Sequence, residues 1–301
     1  MRRNNQKGPR RGAQTSPPLG RFVAVSGARL HLYEAGAGTG VAEAQPTLVL
    51  LHGASGNLRD FTLSILPPLA EAHRVVAVDR PGFGYSTALG EGWRLSVQRQ
   101  AIGAALRQTG HDRLVLVGHS YAGALALDWA LAEPDRIAGL VLLAGATMDW
   151  GGALDTQYTL LAAPILGQAA AALAPRLIGS ARLRRALEGI FAPQPVPERY
   201  FAEGGIDLAL RPETLRTNAR MLTALHAQIR EMAPRYGEIR APALVVHGEA
   251  DRIVPARIHG RPLAARLPEA EGLFLDGVGH MPHHADAHGL AARISRFASG
   301  L

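Results

Sequence analysis

Gly118-His119-Ser120-Tyr121-Ala122-Gly123 joins two unlike stretches of the chain. Before it runs Leu114-Val115-Leu116-Val117, an uninterrupted apolar segment with the character of a strand buried on both faces. After it runs Ala124-Leu125-Ala126-Leu127-Asp128-Trp129-Ala130, a helical segment. A serine set among small residues at such a strand-to-helix turn has the pattern of a nucleophile elbow. The turn is tight enough to strain the serine backbone, and it requires small residues two before and two after. The strain lifts the hydroxyl clear of the sheet, within reach of a base and a substrate carbonyl. The stricter pattern, G-x-S-x-G, has glycine where this chain has Ala122; its glycine comes one residue later, at Gly123. The extra methyl calls for a slight shift of the helix. Taken alone, Ser120 has a rival reading as a helix N-cap.

The segments on either side decide between the two. Arg21–Val25 and Arg29–Tyr33 alternate about a Ser26-Gly27 turn, as an antiparallel hairpin does. Thr47–Leu51, Arg74–Val78, Ile137–Leu143, Ala243–Val246 and Leu273–Leu275 repeat the strand character of Leu114–Val117. Helical patterns over Asn57–Leu69, Leu95–Thr109 and Tyr121–Leu131 lie between them. This alternation predicts an α/β fold with an eight-stranded, mostly parallel sheet flanked by helices. In such sheets the active site gathers at the carboxyl ends of the strands. The alternation breaks at about Thr147 and resumes at about Ala241. The division expected is therefore a basic disordered tail over 1–20, a core over 21–146 and 241–301, and a helical cap inserted over 147–240. The cap is rich in apolar residues: Leu154, Tyr158, Leu160, Leu161, Ile165, Leu166, Leu173, Leu177 and Ile178. Most are expected as core between cap and sheet, and some as the lining of an apolar substrate pocket.

Three further pieces fall at the carboxyl ends of predicted strands. A serine hydroxyl is a poor nucleophile without a neighbouring base. His280, in Gly277-Val278-Gly279-His280-Met281, is the candidate base and proton shuttle. Asp251, in Gly248-Glu249-Ala250-Asp251, is the candidate acid that fixes the imidazole tautomer. Its rivals are Glu249, two residues earlier, and Asp149, after the Ile137–Leu143 strand. The turn His52-Gly53-Ala54-Ser55-Gly56 offers backbone N–H groups, and Ala54 and Tyr121 are the expected pair of oxyanion donors. His52 is read as shaping that turn, His119 as packing beside the nucleophile, and Asp79 as anchoring the Arg80–Ser86 loop. His280, His284 and His288 have i,i+4 spacing, which could suit a metal. Pro282 breaks that helix and no accompanying carboxylate pattern is present, so no metal is expected. Gly36-Ala37-Gly38-Thr39-Gly40 lacks the G-x-G-x-x-G spacing of a dinucleotide site and reads as a loop. No cofactor is expected.

Composition narrows the classes. The chain of 301 residues has no cysteine, which excludes a thiol nucleophile, disulfides and cysteine-based zinc sites. The net charge of +7 would suit a nucleic-acid partner, but residues 1–20 hold Arg2, Arg3, Lys7, Arg10 and Arg11 with no acid. The rest of the chain is nearly balanced, so no nucleic-acid partner is expected. The tail has no apolar segment of a secretory signal, and the longest apolar stretch, Tyr158 to Ile178, is broken by Pro164, Gly167 and Pro175. The expectation is a cytoplasmic protein acting on a small molecule, with weak attraction to a membrane surface as a lesser alternative; oligomeric state stays open.

In His52-Gly53, Asp79-Arg80-Pro81-Gly82-Phe83-Gly84-Tyr85-Ser86, the elbow, Asp251 and His280, the chain resembles the α/β-hydrolase superfamily, in its capped esterase and epoxide-hydrolase-like branch. The likeness spans Arg21 to the C-terminus. Epoxide hydrolases and haloalkane dehalogenases of that branch carry an aspartate nucleophile, and serine at 120 argues against both. The resemblance implies a cofactor-free serine hydrolase, with carboxylic esters of small to medium apolar substrates as the first expectation. Carbon–carbon bond hydrolysis, perhydrolysis or acyl transfer by the same triad is the alternative, and a non-catalytic binding protein of the same fold is another.

Overall fold

The computed structural model describes residues 16–25, 27–36, 45–151, 156–164 and 166–301. Eight strands form one sheet: β1 (Arg21–Val25), β2 (Ala28–Ala35), β3 (Thr47–Leu51), β4 (Val75–Val78), β5 (Leu114–His119), β6 (Ile137–Leu143), β7 (Ala243–Gly248) and β8 (Ala270–Leu275). Their order across the sheet is β1-β2-β4-β3-β5-β6-β7-β8. The β1–β2 and β2–β4 pairs are antiparallel, and all pairs from β4 to β8 are parallel. The hairpin turns through Gly27, whose φ of +74° suits glycine.

Period-two alternation sorts the strand residues onto two faces. Val49, Leu51, Leu116, Leu140 and Leu142 pack on one side with α3 (Leu95–Gln108) and α4 (Tyr121–Ala132). Leu48, Leu50, Val115, Val117 and Val141 pack on the other. There they meet α1 (Arg59–Thr62), α2 (Leu66–Ala70) and the C-terminal helix Ala287–Ser299. A strand covered on both sides has no polar face, hence the continuous apolar runs of the sequence. The helix expected over 57–69 is divided into α1 and α2. Pro67 and Pro68 lack amide protons and fit the first turn of a new helix, not the interior of a longer one. Strand β8 starts three residues before the apolar run because it is the sheet edge, where Glu271 and Gly272 are exposed.

Between β6 and β7 lie α5 (Thr156–Ala162), α6 (Leu166–Leu177), α7 (Ser180–Phe191), α8 (Glu198–Glu203), α9 (Ile206–Ala209) and α10 (Pro212–Met232). The long helix α10 buries Thr214, Asn218, Met221, Leu225, Ile229 and Met232, a stripe at helical spacing. Met221, Leu225, Ile229 and Met232 join the core above α3 and α4 and so fasten this segment to the sheet. After β7 come α11 (Gly260–Arg266), α12 (Pro282–Ala285) and α13, the Ala287–Ser299 helix.

The apolar residues of the α5–α6 segment meet one half of the expectation and depart from the other: Tyr158, Leu160, Leu161, Leu173, Leu177 and Ile178 line a cavity, but the leucines of α6 are not core. Leu160, Leu166, Leu173 and Leu177 are 49%, 67%, 51% and 74% exposed. The reason is the inner face of α6, which is built from small residues: Gly167 and Ala171 are buried. A Cβ at Gly167 would lie 2.3 Å from the Leu161 carbonyl oxygen, so only glycine permits this close approach to α5. The leucines are left off the core, with Leu160, Leu173 and Leu177 lining the cavity instead. Leu154 and Ile165 lie outside the described residues.

Residues 1–15, most of the expected tail, also lie outside the described residues. Residues 16–20 are held against the body. Ser16 Oγ donates to Asp207 (3.2 Å), the Pro17 carbonyl accepts from Arg59, and the Gly20 amide donates to His31 (3.1 Å).

Candidate active site

Ser120 follows β5 and precedes α4 with φ +53° and ψ −116°. A non-glycine residue there costs about 1–3 kcal/mol and persists only when its surroundings enforce it. Here three hydrogen bonds do so. The Ser120 amide donates to Leu143 O (2.9 Å), and its carbonyl accepts from the Gly123 (3.0 Å) and Ala146 (3.0 Å) amides. A Cβ at Gly118 would stand 2.4 Å from the Ala122 carbonyl oxygen, and one at Gly123 would stand 2.8 Å from Gly145 Cα. The displaced glycine of the motif is thus explained. Gly123 faces the Gly145 backbone, whereas the Ala122 methyl is accommodated in the apolar core.

The three side chains singled out by sequence meet. Ser120 Oγ is 3.0 Å from His280 Nε2, and His280 Nδ1 is 2.8 Å from Asp251 Oδ2. All three are buried. Asp251 Oδ1 accepts from the Ile253 (2.8 Å) and Val254 (2.9 Å) amides. Burial alone would push this carboxyl up. Hydrogen bonds from His247, His280 and the Val254 amide outweigh it, and they hold Asp251 below the usual carboxylate range. It is therefore ionised at neutral pH. The rival acids are engaged elsewhere: Glu249 pairs with Arg261, and Asp149 pairs with His226 (2.6 Å) and Arg230 (3.5 Å).

The His52–Gly56 turn runs directly over the nucleophile. A Cβ at Gly53 would be 3.0 Å from Ser120 Cβ. Ala54 and Tyr121 both line the cavity with Ser120. As the first residue of α4, Tyr121 has no intrahelical acceptor for its amide. The Ala54 amide has no acceptor among the described residues. Both amides are therefore without a protein acceptor among the described residues, in two segments that line the cavity with Ser120. Burial lowers the His52 pKa to about 3, so its ring is neutral. Its Nδ1–H donates to Gly53 O (2.8 Å), and its Nε2 accepts from the Arg80 amide (3.0 Å). Asp79 accepts from the Leu58 (2.8 Å) and Tyr85 (2.9 Å) amides and bonds His31 (2.7 Å), so it anchors the loop that follows it.

Above Ser120 lies a cavity of about 1130 Å³, walled by sheet loops below and by the helices between β6 and β7 above. Its wall is mostly apolar, with Leu161, Leu183, Leu187, Ile190, Leu222 and Leu225 among its residues. Among the described lining residues the arginines are Arg182 and Arg252, both exposed.

The alpha/beta hydrolase fold family matches residues 46–287 of this sequence. The chain belongs to the alpha/beta hydrolase fold family. It is a hydrolase. It is 28% identical over 264 residues to a 2-hydroxy-6-oxononadienedioate/2-hydroxy-6-oxononatrienedioate hydrolase of Dechloromonas aromatica, covering 86% of this chain and 87% of that protein. It is 29% identical over 270 residues to a 2-hydroxy-6-oxo-6-phenylhexa-2,4-dienoate hydrolase of Burkholderia cepacia, covering 87% and 89%. Among solved structures, the epoxide hydrolase CorEH superposes with a TM-score of 0.76 at 20% identity, over 94% of this chain and 99% of that one, a likeness of fold.

Other residues of this alpha/beta hydrolase site are not evident from sequence. Arg80 is fully buried, and among the described residues it forms no ion pair with a carboxylate. Its guanidinium donates to His52 O (2.8 Å), Gly53 O (2.9 Å) and Gln98 (2.9 Å), and it stacks between the rings of Phe83 and Tyr121. Burial lowers its pKa only to about 10, so it stays charged. It pins the two carbonyls that precede the Ala54 amide. Asn218 of α10 accepts from the Ser55 amide (2.9 Å) and donates to Ser55 Oγ (3.0 Å), tying the inserted helices to the same turn.

Asp60 lines the cavity and organises three more side chains. It accepts from His283 (3.0 Å), His284 (2.9 Å) and Tyr200 (3.2 Å). His119 does more than pack: its Nε2–H donates to the His280 carbonyl (3.0 Å), and its Nδ1 lies 3.8 Å from Asp60. The histidine spacing 280/284/288 does not assemble. His280 serves the serine, His284 turns to Asp60, and His288 is exposed. Asp60, His283 and His284 have donor atoms within 4.8 Å of one another, the set that could hold a metal. With protons in place the same atoms satisfy one another, two imidazoles and a phenol donating to one carboxylate. Among the described residues no helix is long and apolar enough to cross a membrane.

Proposed function

We propose that this hydrolase cleaves the carbon–carbon bond beside a ketone carbonyl of a mainly apolar small molecule, through an acyl-enzyme on Ser120. The observation that carries the reading is the Ser120–His280–Asp251 chain of contacts at the floor of a large apolar cavity. The relatives refine it. The compounds in their names carry a 6-oxo group and no ester, so hydrolysis of them breaks a carbon–carbon bond. Sequence alone puts carboxylic esters first, and these near-full-length likenesses reverse the order.

In this mechanism His280 Nε2 takes the Ser120 hydroxyl proton as Oγ adds to the carbonyl carbon. The Ala54 and Tyr121 amides receive the oxyanion, and Arg80 and Asn218 hold the Ala54 side of that pair in place. Asp251 accepts from His280 Nδ1–H and stabilises the imidazolium. The carbon–carbon bond then breaks, and His280 Nε2–H returns its proton to the leaving carbon. Water, deprotonated by His280, frees the acyl group. The net reaction consumes one water and yields a carboxylic acid and a protonated carbon fragment. Arg182 and Arg252, at the cavity rim, would face a carboxylate at the far end of such a substrate.

Ester hydrolysis is the second reading, and one observation favours it. Neither lining arginine is buried near Ser120, so a neutral ester fits the inner chamber without a counter-ion. Rates on 2-hydroxy-6-oxo-6-phenylhexa-2,4-dienoate and on p-nitrophenyl esters of increasing chain length separate the two. A higher kcat/KM on the dienoate supports carbon–carbon hydrolysis, and a higher value on the esters overturns it. Turnover of neither, with Ser120 unreactive to a fluorophosphonate, would mark a binding protein.

A further inference from the structure

Leu166, Ala170, Leu173 and Leu177 fall on one stripe of α6 at the cavity, and its leucines are exposed. Three of its members are leucines more than half exposed, and Leu160 of α5 lies in the same exposed set. Leu160, Leu173 and Leu177 also line the cavity, so the apolar interior opens through this face. Single exposed leucines are ordinary, whereas a contiguous apolar patch at a cavity mouth marks an interaction site.

Charge indicates what the patch meets. From residue 156 to 191 the chain carries Arg176, Arg182, Arg184 and Arg185 against one acid, Glu188. All four arginines are exposed, and among the described residues none forms an ion pair with a carboxylate. Arg184 lies over the Phe201 ring, and Arg185 donates to a backbone carbonyl of its own helix. A helix pair with a leucine stripe and a cationic flank has the composition of an element that lies in the plane of a lipid interface. Arginines near a surface of anionic lipid gain further attraction. A protein partner would have to match both a leucine stripe and a set of guanidiniums without a carboxylate partner. An anionic bilayer matches them with no fixed shape.

We propose that the outer face of α5–α7 seats on an anionic lipid bilayer, with Leu166, Leu173 and Leu177 among the acyl chains. Arg176, Arg184 and Arg185 then face the headgroup phosphates, and the cavity mouth opens toward the lipid. This inference stands whichever bond Ser120 attacks.

The test is flotation of the full chain with vesicles of phosphatidylcholine alone, or containing about 30 mol% phosphatidylglycerol. The wild type is expected to float with the anionic vesicles, to stay behind with the neutral ones, and to be released at about 0.5 M salt. Combined Leu166→Ser, Leu173→Ser and Leu177→Ser is expected to lower the bound fraction at least about tenfold. Residues 1–15 stay in every variant, so undiminished binding by the serine variant would assign the attraction to the basic N-terminal residues and overturn the proposal. Should that variant fold poorly, a milder probe decides. The chain has no cysteine, so Leu177→Cys carries one environment-sensitive fluorophore. A blue shift on adding anionic vesicles is expected, and an unchanged spectrum overturns the proposal. So does a wild-type dimer that the serine variant dissolves without any vesicle binding, since the face would then join two copies of the chain.

Discussion

Asp251→Asn isolates the role of a single proton position. In the structure Oδ1 of Asp251 accepts from two backbone amides, at 2.8 and 2.9 Å, while Oδ2 accepts from His280 Nδ1 at 2.8 Å. An asparagine must keep its carbonyl oxygen toward the two amide donors, because its NH₂ group would collide with their hydrogens. The NH₂ therefore turns to His280 Nδ1, which must accept. The imidazole proton then moves to Nε2, where it points at Ser120 Oγ, 3.0 Å away. A ring in that tautomer donates to the serine and cannot take its proton. Forcing the wrong tautomer in a serine triad costs about 10⁴ in kcat, equivalent to about 5.5 kcal/mol of barrier. The assay is initial rate against substrate concentration from about pH 6 to 9, with circular dichroism to establish that the variant is folded. A folded variant with less than a tenfold loss would refute the tautomer argument.

Three further outcomes follow from other parts of the structure. Arg80→Lys keeps the charge but loses the planar fork across His52 O and Gly53 O; kcat should fall about 10- to 100-fold with KM little changed, since an oxyanion donor is loosened. Ala122→Gly places glycine inside a helix and should cost about 1 kcal/mol in urea unfolding. Gly123→Ala forces a methyl against Gly145 and should cost more, about 1–3 kcal/mol; the reverse ranking would contradict the account of the displaced glycine. Burial lowers His52 to about 3 and His259 to about 4, against about 6.5 in the unfolded chain. Between those values the unfolded state binds the extra protons, so stability falls as pH falls. The two residues together contribute a slope of about 2–2.5 kcal/mol per pH unit between about pH 4.5 and 6. A Tm unchanged from pH 7 to 5 would contradict this.

What could be read from sequence and what could not divide along physical lines. Strands buried on both faces leave apolar runs, and a strained serine leaves glycines around it. Sheet, elbow and the Ser120, Asp251 and His280 positions were therefore legible. Arg80 was not, because two of its partners are backbone carbonyls, which carry no sequence mark, and the third, Gln98, is 18 residues away. Asp60 and Asn218 were hidden by separation: their contacts lie 223 and 163 residues away. The helical pattern over 57–69 runs through Pro67 and Pro68, which in the structure start a new helix. The leucines of α6 are harder to place, for a subtler reason. Helical spacing shows that they share a face, but only the close approach at Gly167 shows that a neighbouring face packs on α5 and leaves this one off the core.

The central claim is that Ser120 is the nucleophile that becomes acylated. It is tested most directly by labelling the native protein with a fluorophosphonate and locating the adduct by peptide mass spectrometry. A single adduct on Ser120, absent from the Ser120→Ala variant and slowed in Asp251→Asn, is the predicted result. A native protein that turns over substrate while Ser120 stays unlabelled, or that loses no activity in Ser120→Ala, would contradict it.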